Sequence, residues 1–372
     1  MNLELTDEQV ALRDTTRRFL AEKASISDHV RPLLDDPTGI DHAVWHGLAG
    51  LGATGLLVPE DHGGSGMTMV EAGIVAEELG AALHPGPWLS TAVAAPRALN
   101  RLGANDTAAE LQRGIADGTT IAAVCFLGLD DASTAGIAAS RRDDGTVLQG
   151  EASGVPDAAA ADVLLALADG ELLAVPNTSP GVSVVAEPGI DPTRKQFRVA
   201  FDGASAQPLG AVSPQQMAAV VDDMLIAAAA DALGAARAVM ELAVEYAKTR
   251  RQFGQPIGSF QAIQHLCVDM YEAVELARSG VIHALWASDA FPGTDGQSGG
   301  ERHLAALRAK AFAGRLAAVG DTAIQVFGGI GYTWEHDAHL YLKRLLGWSA
   351  FLGGPDRYLT ELGARLAKRG RH

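Results

Sequence analysis

The spacing of apolar positions along the chain changes period twice, and the changes divide the sequence into three parts. From Thr6, three residues ahead of Gln9 in the spacing of a capping box, Val10, Leu12, Phe19 and Leu20 recur as on one face of a helix. Helical patterning continues to about Leu111. It is broken by the loop chemistry of Val58-Pro59-Glu60-Asp61-His62-Gly63-Gly64-Ser65-Gly66 and resumes over residues 67–79. Between 119 and about 209 the apolar runs shorten to 121–127, 163–167 and 197–201, separated by Gly, Asp and Pro, which predicts strands and turns. Pro214 then sits just inside a second helical region that reaches the C-terminus, interrupted at 252–258, 291–300 and 328–331. The interruption at 291–300 reads as a helix-helix connection and not as a site. These shifts predict an N-terminal helical domain over 1–118, a middle β domain over 119–210 and a C-terminal helical domain over 211–372.

Composition narrows the class. With 372 residues, 48% hydrophobic and 20% charged, rich in Ala and Leu and poor in aromatics, the chain suits a soluble, mostly α protein with substantial cores. A net charge of -16 argues against nucleic acid, which a basic surface must bind, while leaving room for a local basic patch. Cys125 and Cys267 make neither a disulfide framework nor a zinc motif and read as small apolar residues of a protein in a reducing cytoplasm. The first twenty residues lack the pattern of a secretory signal, and no apolar run reaches membrane-spanning length.

Two of the helix breaks carry candidate chemistry. One reads Thr249-Arg250-Arg251-Gln252-Phe253-Gly254-Gln255-Pro256-Ile257-Gly258-Ser259-Phe260-Gln261, the other Gln325-Val326-Phe327-Gly328-Gly329-Ile330-Gly331-Tyr332-Thr333-Trp334-Glu335. Together they offer a guanidinium, several amides and bare glycine backbone, the groups that hold a dinucleotide pyrophosphate. Each also has a plainer reading: an arginine complementing a helix C-terminus after a helix ending at Thr249, and glycines capping a helix over 304–327. His336 and His339 share a helical spacing but lack a third metal ligand, so no metal is expected.

The two segments resemble the flavin-contacting signatures of the acyl-CoA dehydrogenase family. The loop at 58–66 and the following Glu77-Glu78-Leu79-Gly80 also match that family's pattern. The resemblance, which covers nearly the whole chain, implies a mainly α fold with a central β domain: N-terminal helices, a β-barrel-like middle and a C-terminal four-helix bundle. It implies FAD as cofactor, α,β-desaturation of an acyl-CoA thioester, transfer of electrons to an electron-transfer flavoprotein, and a tetramer in which some flavin contacts cross a subunit boundary. By the same resemblance Arg250 meets the pyrophosphate, Phe253 packs on the cofactor, and Gln325, Gly328 and Gly329 hold the adenosine half. Gln252, Ile257, Phe260 and Gln261 fall in register around them.

The sequence departs from the family where the reaction needs a carboxylate base. The usual glutamate position, counted from Gly329, is Leu352, and the alternative on the earlier helix is Met224. Asp223 and Asp231 remain as candidate bases, with Asp222 and Asp356 behind them. Against those roles stand an exposed helix position for Asp222 and Asp223, a buried structural hydrogen bond for Asp231, and a turn before the last helix for Asp356. The middle domain reads Ala123-Val124-Cys125-Phe126-Leu127-Gly128-Leu129-Asp130-Asp131 where the family has Thr-Glu-Pro and Gly-Ser-Asp, and no tryptophan lies between Trp88 and Trp286. The half-site given to a neighbour is kept and the half-site for the chain's own flavin ring is lost. This predicts a subunit of a hetero-oligomer whose related partner bears the base, the alternative being a scaffold that keeps the fold without binding flavin. Alanine-rich stretches near 75–83 and 225–233 further suggest a roomy cavity for a bulky acyl group.

Overall fold

Thr6 caps the first helix, Asp7–Lys23, as its sequence predicts: its hydroxyl accepts from the Gln9 backbone N–H at 3.2 Å, and the Gln9 amide oxygen accepts from the Thr6 N–H at 3.0 Å. The computed structural model describes residues 4–103, 105–125, 136–143, 145–291, 293 and 296–369. After the loop at 58–66, a second capping box on Thr68 and Glu71 starts the helix Met69–Ala81, whose apolar side is buried. Shorter helices His42–Gly50 and Asp106–Ala116 complete the N-terminal layer.

The middle of the chain is one seven-stranded sheet, β1 Ala122–Val124, β2 Ala138–Arg142, β3 Gly145–Pro156, β4 Val163–Ala168, β5 Glu171–Pro176, β6 Val182–Glu187 and β7 Gln196–Ala211, in the order β1-β4-β5-β7-β3-β2 with β6 also on β7. The long strand β7 joins the halves: its first residues pair with β3 and β6 and its last with β5, all antiparallel. Every residue of β4 is buried, which explains why Val163–Ala168 reads as an unbroken apolar run and does not alternate. Of the predicted strand at 121–127 only Ala122–Val124 is strand; residues 126 to 135 lie outside the described part.

Ser213 caps the 36-residue helix Pro214–Thr249, followed by Gln261–Ala290, Gly296–Ala313 and Ala317–Phe327, which pack on one another as a bundle. Three expectations change here. The helix expected over 304–327 is interrupted by a 3₁₀ turn at Gly314–Leu316, where a side chain on Gly314 would meet Pro355 at 2.8 Å. The connection expected at 291–300 is shorter, because helix resumes at Gly296. Ala338–Ala350 and Pro355–Arg369 close the chain; Asp356 lies in the first turn of the latter and not in a turn ahead of it.

Helices Met69–Ala81 and Pro214–Thr249 approach so closely that a Cβ on Gly80 would lie 1.9 Å from the Asp231 carbonyl oxygen, and one on Gly234 1.8 Å from that of Glu77. The alanines around 225–233 serve this contact: Ala227, Ala229, Ala230 and Ala232 are buried in packing, and only Ala228 reaches a cavity. The stretch 225–233 thus meets a cavity at Ala228 and otherwise serves helix packing. Among the described residues no helix is long and apolar enough to cross a membrane.

Candidate functional site

Two regions carry candidate chemistry, one on the surface and one inside. The surface region forms where the helix Pro214–Thr249 ends. Arg250 takes an extended backbone (φ -68°, ψ 125°) as the C-cap, and Arg251–Gln252 pairs with Gln255–Pro256 in a two-stranded hairpin. At the hairpin tip Phe253 is held at φ 52° with 90% of its surface exposed, edge-on to Phe260 at 6.1 Å between ring centroids. Left-handed backbone under a bulky side chain and an exposed phenylalanine are both unfavourable for an isolated chain.

The second motif meets the first through a ring contact. Tyr246, one turn before Arg250, packs on Phe327, immediately before Gly328, at 5.0 Å. The ends of helices Pro214–Thr249 and Ala317–Phe327 are thereby held together. Gln325, Gly328 and Gly329 are exposed there, as are Arg250, Gln252 and Gln261, with Ile257 and Phe260 half-buried. Gly328 does cap its helix, its N–H donating to Ile324 O at φ 65°, so the plainer reading of that glycine also holds. Neither reading of the chain's own packing explains Gly329, because a Cβ on either glycine would meet nothing within 4 Å. The open backbone, the exposed amides and a guanidinium without an ion-pair partner among the described residues suit a phosphate-bearing group arriving from outside the subunit. His336, tilted against Phe327 at 4.3 Å between ring centroids and accepting from the Ala338 N–H, is occupied with local structure.

The inner region is a cavity of about 560 Å³ between the sheet and the C-terminal helices, bordered by the end of β3, the segment between β6 and β7, Ala228 and Asp231, Trp348, and Ala350 to Leu352. Leu352 stands in its wall at φ 54°, mostly buried. The position where the family resemblance places a glutamate therefore does face the cavity, and an apolar side chain fills it. The strand bordering the cavity presents Ala152, Ser153, Gly154 and Pro156, without an aromatic ring.

The cavity floor is an ion network absent from the sequence reading. Arg344, on helix Ala338–Ala350, binds Asp231 in bidentate fashion, Nε to Oδ1 at 2.8 Å and Nη2 to Oδ2 at 2.9 Å; it also donates to Thr193 Oγ1 at 2.5 Å and to the His84 carbonyl at 3.0 Å. Arg194 adds a second guanidinium on Asp231 Oδ2. Burial alone would favour a protonated Asp231, but Arg194 and Arg344 hold its pKa below the ordinary carboxylate value. A carboxylate so paired is a poor proton acceptor, and the geometry assigns it to structure, as the hydrogen-bond alternative anticipated. Beside it Asp157, at φ 57° and in contact with Ser90 Oγ at 3.2 Å, is pushed up to about 6 by burial, against the pull of Arg194.

Asp223 and Asp222 are not at the cavity, and the expectation that they are exposed is corrected. Asp223 is fully buried and accepts from Ser288 Oγ at 2.5 Å and Arg101 Nη2 at 3.1 Å, with Arg97 Nε at 3.3 Å. Despite burial, Arg97, Arg101 and Arg302 keep its pKa low. Asp222 is buried too and pairs with His303 Nδ1 at 2.8 Å. The Lys343-Arg344 pair interrupts the apolar run Leu340, Tyr341, Leu342, Leu345 and Leu346, but nothing in the sequence tells which of the two is buried. No pattern in one sequence pairs Arg344 with Asp231, 113 positions earlier.

Models of the acyl-CoA dehydrogenase N-terminal and C-terminal domains match residues 6–119 and 216–367. The chain is 33% identical to the acyl-CoA dehydrogenase IpdE2 of Mycolicibacterium smegmatis over 97% of its length and all of that protein. It is 34% identical to the acyl-CoA dehydrogenase FadE34 of Mycobacterium tuberculosis over 97% of its length, but spans only 48% of FadE34. Among solved structures it resembles a chain of the ChsE4-ChsE5 complex of Mycobacterium tuberculosis with a TM-score of 0.87 at 25% identity, covering 99% of each chain. It also resembles a variant of the Tcur3481-Tcur3483 steroid ACAD with a TM-score of 0.85 at 28% identity, covering 98% of this chain and 99% of the other. The paired motifs, the order of helical, β and helical layers and these similarities agree: the chain belongs to the acyl-CoA dehydrogenase family, whose members are FAD-dependent.

Proposed function

We propose that this chain is one subunit of a heteromeric acyl-CoA dehydrogenase, acting on an acyl-CoA thioester with an electron-transfer flavoprotein as acceptor. In this reading it gives Arg250, Gln252, Phe253, Ile257, Phe260, Gln261, Gln325, Gly328 and Gly329 to FAD held mainly by a related subunit. The observation that carries the reading is the contrast at Leu352: the wall position faces a cavity, yet carries no group able to take a proton, and Asp231 is committed to two arginines. Uptake of a hydride from the β carbon is the chemistry FAD supplies when bound. Arg250 then offers a permanent charge to the pyrophosphate, the Gly328-Gly329 backbone admits close approach, and Phe253 covers the ligand from water. Removal of the α proton falls to a carboxylate of the partner subunit. The ChsE4-ChsE5 and Tcur3481-Tcur3483 relatives, each described by two names, support pairing of unlike chains, and the steroid ACAD supports a bulky acyl group.

The test is the visible absorption spectrum of the purified chain, alone and co-expressed with a related chain bearing glutamate at the position matching Leu352. Flavin appearing only on co-expression, near one per two chains, is the expected result. A flavin-loaded, active homo-oligomer of this chain alone would overturn the proposal.

A further inference from the structure

Behind the cavity wall lies a lysine that no carboxylate accompanies among the described residues. Lys310, on helix Gly296–Ala313, is completely buried. Its Nζ donates to the carbonyl of Trp348 at 2.6 Å and of Ser349 at 3.2 Å, and lies 4.2 Å from the centre of the Trp348 ring and 5.8 Å from that of Tyr358. Those carbonyls belong to the last turn of helix Ala338–Ala350, where four C=O groups lack helical partners and the helix dipole is negative. Tyr358, from the last helix, donates its hydroxyl to the Leu352 carbonyl. Between these two anchors, the Phe351 N–H is bonded to Gly347 O at 3.0 Å and the Gly353 N–H to Ala350 O at 3.0 Å, and Leu352 is held at its left-handed φ of 54°. Neither Lys310 nor Tyr358 lines the cavity; of the segment they grip, Trp348, Ala350, Phe351 and Leu352 do.

We propose that Lys310 is a positioning residue that fixes the wall segment Trp348–Leu352 from behind, through two carbonyls and the face of Trp348. A buried ammonium is costly, and a methionine would fill similar space at no electrostatic cost, so packing alone does not account for a cation here. The helix-end carbonyls and two ring faces supply the compensation that a carboxylate would supply elsewhere. The inference goes beyond the flavin assignment and does not depend on it.

Burial pushes Lys310 down to about 7, with no charged neighbour contributing to the shift. Around it, Tyr358 is pushed up to about 12 by burial, opposed by Arg357 and assisted by Asp222 and Glu361. His303, earlier on the helix of Lys310, bonds both Asp222 and Glu361; burial works against its charge, but those two carboxylates raise its pKa. Lys310 and His303 are thus the two groups to separate near neutrality.

The experiment combines amide hydrogen exchange with tryptophan fluorescence on the full-length chain. In Lys310→Met the amides of Phe351 and Gly353 should exchange about tenfold faster or more, with those of Leu164 and Leu172 in the sheet unchanged, as expected of a local opening. Lys310→Arg should restore that protection. Wild-type emission should titrate with a midpoint near 7, and the transition should vanish in Lys310→Met and in Trp348→Phe while persisting in His303→Gln. Unchanged exchange at 351 and 353, an equal acceleration throughout the chain, or a titration that survives Lys310→Met would overturn the proposal. Should Lys310→Met fail to fold, a wild-type emission that is flat between pH 6 and 8, or one matched by Trp348→Phe, overturns it equally.

Discussion

The surface region around Arg250 and Gly329 and the inner cavity are built to opposite rules. In the cavity floor every strong donor of Arg344 is answered within the chain, by Asp231, Thr193 and the His84 carbonyl, so that helices from both ends of the sequence and the segment before β7 are joined at one point. On the surface, among the described residues, Arg250 has no such answer and Gly329 leaves space that no side chain uses, while Phe253 projects into solvent from strained backbone. A region complete in itself is a region for folding. One that keeps unfavourable features without internal compensation needs an external group to explain them, and that difference separates structural from functional charge better than charge or burial alone.

The comparison breaks most visibly at the ion network. Arg344→Met leaves Asp231 buried with Arg194 as its remaining cation and should cost about 3–5 kcal/mol in thermal or denaturant unfolding. A loss below about 1 kcal/mol would mean that the cavity floor is not the structural joint described.

Asp157 gives the next effect, with a sign fixed by linkage. Its folded pKa of about 6 lies above the ordinary 3.8, so the folded state holds the extra proton between those values. Stability from this group falls as pH rises from about 4 to about 6, and above that the full cost applies, at most about 3 kcal/mol. Asp157→Asn, which tolerates the left-handed φ, should therefore stabilise the protein at pH 8 and lose that advantage at pH 4, measured by denaturant titration at both values.

On the surface, Arg250→Ala should remove a charge-assisted contact worth about 1.5–3 kcal/mol of flavin affinity, at least tenfold in occupancy of the co-expressed complex. Its unfolding free energy should stay within about 0.5 kcal/mol of wild type. Equal flavin content in the variant would leave the half-site as an ordinary helix end. The smallest and sharpest case is Phe253→Gly: relief of the left-handed backbone should raise stability by up to about 1 kcal/mol while flavin occupancy falls. A variant that loses stability would show that Phe253 is held for the fold and not for a ligand.

Much of this could be read from one sequence. Thr6 with Gln9 and Pro214 behind Ser213 mark helix starts by local chemistry, and β4 announces itself as an apolar run. The two flavin-type motifs and the leucine at the base position are likewise local statements. The aspartates were not legible in that way. Asp222 and Asp223 adjoin each other in a helix, and nothing in their spacing reveals that Arg101, Arg97 and His303, from other helices, enclose them. The alanines of 225–233 were only half legible for a related reason: small residues permit either a cavity or a close helix contact, and the structure uses Ala228 for the first and the approach of Gly80 and Gly234 to the facing backbones for the second.

Sequence alone determined the three-part layering, the helix caps, the two glycine- and amide-bearing helix breaks and the absence of a carboxylate at position 352, because each depends on neighbours a few residues apart. Only the tertiary structure decided that Leu352 faces a cavity, that Asp231 is bound by Arg344 and Arg194, and that Lys310 sits beneath the helix end carrying Trp348. Burial and charge pairing are properties of surfaces brought together from distant parts of the chain, and their energies exist only once those surfaces meet.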